Sequence, residues 1–156
     1  MILFTPNVDA PLYQVPANGG TAVAVTTLDS GHGEKSHRWP QFRPDGTHYL
    51  FLDRTVDREH MGVYLGSLDS KAHRMLVNTG FAGIYAARYL LFMRNLTLFA
   101  QPFAAAKAEI HGEPISLPDR VIEISSTSAA VFSSQNGTLV YYSSANAQPG
   151  WDAKNE

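Results

Sequence analysis

The chain has 156 residues, 12 basic against 14 acidic, a net charge of −2 at pH 7 and no cysteine. Without cysteine, disulfide scaffolds, iron–sulfur clusters, Cys-ligated zinc and a thiol nucleophile are excluded. The near-neutral charge argues against a nucleic-acid binder, which needs a clustered basic face.

With 44% hydrophobic and 17% charged residues, the sequence is expected to form one folded domain. Pro6 and Asp9 interrupt the opening stretch too early for a signal peptide. No apolar run approaches the roughly 18–20 residues of a spanning helix, so membrane insertion is not expected.

Taken in order, the apolar residues fall in short runs of β-formers: 2–5, 12–15, 21–27, 49–53, 62–65, 74–77, 83–86, 89–93, 97–101, 114–117, 129–133 and 138–143. Between them stand Asn18-Gly19-Gly20, Asp45-Gly46 and Asn136-Gly137, which supply the positive φ of tight hairpin turns. The helix-tolerant stretch, 103–109, is too short to stand alone. An all-β fold follows.

The strands recur. Ile2-Leu3-Phe4, Tyr49-Leu50-Phe51, Tyr89-Leu90-Leu91-Phe92 and Leu139-Val140-Tyr141 are one type, with Leu3, Leu50, Leu90 and Leu139 stepping by 47, 40 and 49 residues. Leu12-Tyr13-Gln14, Val63-Tyr64-Leu65 and Leu98-Phe99-Ala100 are a second type. Phe42 precedes Tyr49 by 7 residues, as Phe132 precedes Leu139. A period in the mid-forties with about four strands per unit is the pattern of a β-propeller.

The segment Trp39-Pro40-Gln41-Phe42-Arg43-Pro44-Asp45-Gly46 resembles the W-x-x-F-x-P-D-G opening of WD40-like (PD40, TolB-type) propeller blades. The whole chain is similar to the propeller attached to bacterial serine/threonine kinases. The resemblance implies a sensing or interaction role outside the cytoplasm. No glycine-rich loop, HRD or DFG motif is present, so kinase activity does not carry over.

Blade segments are expected at 1–27, 38–77, 81–120 and 128–152, about three and a half blades of four antiparallel strands. Propellers close with typically four to eight blades. Either the chain is part of a longer propeller, or a homo-dimer or trimer closes the ring. The edges of an open arc favour the second.

The candidate chemistry sits in two polar loops. Residues 28–38 (LDSGHGEKSHR) join two blades and are expected at one mouth of the ring, and residues 53–61 (DRTVDREHM) are expected as a charged, solvated loop joining two strands of a blade. They offer His32, His37, Arg38, Arg54 and His60 as contacts to a small-molecule or protein ligand. The six histidines form no HxH or HExxH pair, so spacing points to no metal site and no cofactor. No G-x-S-x-G elbow exists. Asp45 is read as a turn residue and the strand aromatics, Trp39 among them, as filling between blades. The reading is a ligand- or protein-binding scaffold. The alternative is a propeller-type glycoside hydrolase, for which Glu34, Asp57 and Glu59 are the candidate acid and base.

Overall fold

The structure is a computed structural model, and it describes residues 1–104 and 107–143. The described residues form sixteen strands and a single 3-10 turn (Ser30–His32), with no α-helix among them. The part of the expected last blade segment beyond residue 143 lies outside the described residues.

The N-terminal sheet is an antiparallel meander of β1 (Ile2–Phe4), β2 (Tyr13–Val15) and β3 (Val23–Ala24). The second sheet is the meander β4 (Glu34–Phe42), β5 (His48–Thr55), β6 (Gly62–Ser67) and β7 (Ser70–Asn78). The third takes β8 (Ile84–Ala86), β9 (Tyr89–Arg94) and β10 (Thr97–Ala104). The outer edge of β10 is shared by β11 (Glu109–Ile110) and β12 (Ile115–Arg120).

Two small hairpins follow. One joins β13 (Glu123–Ile124) to β14 (Ala129–Ala130), and the other joins β15 (Phe132–Gln135) to β16 (Thr138–Tyr141). The protein is therefore all-β, a series of small antiparallel sheets.

Alternation along the strands explains the packing. Tyr49 and Phe51 turn to one side, where they join Leu12 and Val25 of the N-terminal unit. Leu50 turns to the other, against Leu90 and Phe92 of the third sheet. Leu91 and Met93 of β9 in turn meet Val121, Phe132 and Leu139. A strand buried on both faces reads as a continuous apolar run, and residues 49–53 are all buried.

The turns follow local chemistry. Gly46 takes φ 70°, while Asp45 accepts the N–H groups of Thr47 and His48 at 3.0 and 2.9 Å. Asn136 and Gly137 take φ 51° and 79° in the β15–β16 hairpin.

Two expectations change. Residues 34–38 are not loop: they begin β4 and pair with β5 from Glu34↔Thr55 to Arg38↔Leu52. Trp39 does not fill the interior. It is 45% exposed at φ 55°, where the ladder is irregular, and its Nε1–H donates to the Thr127 carbonyl at 3.1 Å. The Ser125–Ser128 run forms the β13–β14 turn, which receives that bond.

Candidate functional site

The two polar loops pack against each other at one end of the second sheet. The Val56 N–H donates to the Gly33 carbonyl at 3.2 Å, and the Thr55 hydroxyl donates to the His32 carbonyl at 2.6 Å. The His32 and His60 rings lie 4.6 Å apart. Each imidazole Nδ1 meets a carboxylate, Asp29 at 2.8 Å and Asp57 at 2.7 Å. The Gly31 N–H and then His32 hold the Asp29 carboxyl below its usual range. The Glu59 N–H and then His60 do the same for Asp57. Glu59 itself is exposed.

Arg38 is a structural tie. Its guanidinium donates to Ser36 Oγ at 2.7 Å, to the Val8 carbonyl at 2.7 Å and to the Thr127 carbonyl at 3.3 Å. Burial, then the neighbouring Arg54 charge, lowers its pKa. Arg54 is half-buried and makes no ion pair among the described residues.

Beside this end lies a cleft of about 340 Å³, between the loop after β5 and the β9–β10 turn. Arg58, Asn78, Phe81, Arg94 and Asn95 line it, with no carboxylate in its wall. Asn78 Nδ2 fixes the loop by donating to the carbonyls of Arg58, Glu59 and Met61 at 2.7, 3.2 and 3.0 Å. Arg94 stacks over Phe92 at 5.1 Å and donates Nε–H to the Asn78 carbonyl.

A second constellation is buried between the N-terminal unit and the second sheet. Glu34, His37, Asp53 and His73 place one donor atom each within 4.8 Å of one another. His37 stands opposite Asp53 in the β4–β5 ladder, so both side chains share a face. Glu34 and His37 are three apart, which regular alternation would put on opposite faces. The ladder skips Lys35, pairing Glu34 with Thr55 and Ser36 with Arg54, and this irregularity returns Glu34 to the face of His37. His73 reaches over Phe51 and Tyr64, at 5.6 and 5.5 Å, to 5.7 Å from the His37 ring.

His37 is held firmly. Its Nδ1 lies 2.8 Å from Thr26 Oγ1, which also accepts the Leu12 N–H, and its own N–H donates to the Ala10 carbonyl. Its Nε2 points to the Glu34 carboxylate at 3.3 Å and to Asp53 at 3.8 Å. Burial pushes the His37 imidazole down to about 4. Burial, then the Glu34 carboxyl, pushes Asp53 up to about 8. Among the described residues, His37 Nε2, both Asp53 oxygens and His73 Nδ1 are buried without a hydrogen-bond partner.

The fold thus divides the residues singled out from sequence. His32, Asp57 and His60 meet at the loop end with Glu59 beside them, Arg38 and Arg54 adjoin each other, and Glu34 and His37 turn inward. Asp53 and His73 were not foreseen as site residues. Their signal was weak, because the four donors come from three strands and meet where the β4–β5 and β6–β7 ladders are irregular. Compared with known proteins, the chain matches no family model and has no significant likeness to a curated protein or a solved structure.

Proposed function

We propose that the chain is a non-catalytic binding module of β-propeller type. It contributes about three and a half blades, closes its ring with further copies of itself and takes an anionic ligand at the loop end. The stacked sheets support the propeller reading, since β5 and β9 each turn alternate residues to the units on either side. The ligand class rests on the cleft, where two guanidinium groups line a concave wall without an acidic residue. Arginine forks match carboxylate and phosphate oxygens.

The test is ligand-observed NMR with a set of carboxylate- and phosphate-bearing fragments. Binding that disappears in Arg58→Gln and Arg94→Gln is expected. A set that yields no binder, or binding indifferent to both substitutions, overturns the reading.

A further inference from the structure

Every buried polar group in a folded protein is expected to have a partner, and each exception asks for a cause. Four donor atoms break that rule at one place here: His37 Nε2, Asp53 Oδ1, Asp53 Oδ2 and His73 Nδ1. His37 and Asp53 are fully buried, and the Glu34 side chain is 7% exposed. A buried carboxyl without a donor costs free energy of the order of several kcal/mol if it is charged. No lysine or arginine forms an ion pair with Glu34 or Asp53 among the described residues. Glu34, His37 and His73 converge on Asp53. What all four groups accept in common is a cation.

We propose that Glu34, His37, Asp53 and His73 bind one divalent transition-metal ion of the zinc class. The inference stands apart from the anion cleft and does not depend on it.

The donor set selects the ion. Calcium takes six to eight oxygens, and magnesium keeps most of its waters, so neither suits two imidazoles in a dry site. Two imidazole nitrogens with two carboxylate oxygens suit zinc and its first-row neighbours. Zinc bond lengths are about 2.0–2.2 Å to nitrogen and oxygen, so four tetrahedral ligand atoms stand roughly 3.3–3.6 Å apart. The Glu34–His37 separation of 3.3 Å and the His37–Asp53 separation of 3.8 Å already lie near that spacing.

The surroundings complete the case. The ligand nitrogen of a metal-bound histidine is set by the hydrogen bond at the other nitrogen. His37 has that bond, Nδ1 to Thr26 Oγ1, and leaves Nε2 facing the cluster. Glu34 Oε2 is oriented by the Asp29 N–H. Gly62 stands opposite Asp53 on the neighbouring strand, so no side chain from that position enters the site.

Four protein donors leave no position for a water or substrate, so the metal is structural rather than hydrolytic. It joins β4, β5 and β7 and, through Thr26, the segment that leads out of the N-terminal sheet.

The experiment starts from chelator-treated full-length protein titrated with zinc chloride. One ion per chain is expected, with a rise in melting temperature that calcium and magnesium chloride do not produce. Cobalt(II) in its place is expected to give the intense visible absorption of a tetrahedral centre, a readout that needs no variant. His73→Gln, at the half-buried edge, and Asp53→Asn, nearly isosteric, are each expected to weaken zinc more than tenfold and abolish that absorption. His32→Gln with His60→Gln, which removes the exposed histidine pair, is expected to leave both unchanged.

Absence of stoichiometric zinc binding by the wild type overturns the proposal. So does binding that survives His73→Gln and Asp53→Asn, or that is lost on removing the exposed pair. If Asp53→Asn fails to fold, His73→Gln and the cobalt spectrum decide.

Discussion

Gly66 lies beneath the ring of Tyr49, and a methyl group there would stand 2.6 Å from two ring carbons. The ring is buried and cannot move aside freely. Gly66→Ala is expected to lower stability by about 1–3 kcal/mol, the usual cost of overpacking, read from urea unfolding. An unchanged midpoint would show that the ring has room. The buried titratable pair sets a pH signature in chelator-treated protein. Asp53, raised from 3.8 to about 8, binds a proton in the folded chain that the unfolded chain has released, so its contribution falls as pH rises through about 8. His37, lowered from 6.5 to about 4, acts in the opposite direction between those values and is silent above them. Stability is therefore expected to decline between pH 6.5 and 8, and Asp53→Asn is expected to flatten that decline. An equal decline in the variant would assign it to other groups.

One side chain, Asn78, donates to three carbonyls of the loop after β5. Asn78→Ala removes those donors at an exposed position, so the stability cost is expected to be about 1 kcal/mol, while amide exchange at Glu59, His60 and Met61 rises. Exchange that stays at the wild-type rate would mean that the loop is fixed by its backbone. At this scale the sequence was most readable. The Asp45-Gly46 and Asn136-Gly137 turns and the Tyr49–Phe51 and Tyr89–Phe92 runs announce themselves, because turn chemistry and alternation are local. The cluster was not readable for the same reason. Glu34 and His37 have a spacing that regular alternation separates, and only pairing with Thr55 and Asp53 reveals that Lys35 is skipped. His73 joins from a stretch of β7 where the ladder to β6 is also irregular. Trp39 shows the converse: its motif position led to an expectation of interior filling, yet its backbone at positive φ turns the indole outward to Thr127.

The stack of sheets has two ends, and each carries exposed apolar side chains. Ile2 and Val23 are 49% and 50% exposed at the N-terminal unit, and Val140 and Tyr142 are 65% and 44% exposed at the other. The second sheet lies between two apolar clusters and shows none of this on its central strands, where residues 49–53 are all buried. Apolar surface present at both ends favours a head-to-tail contact, in which the first unit of one copy meets the last unit of the next. Such contacts satisfy every edge when the rotation closes. Light scattering on the eluting protein is therefore expected to give a discrete dimer or trimer. Val140→Lys places a charge in that contact and is expected to shift the mass to the monomer, while the chain stays folded by circular dichroism. A wild-type monomer would remove the ring. An oligomer indifferent to Val140→Lys would place the contact on another face, and the stack ends would then need another covering partner.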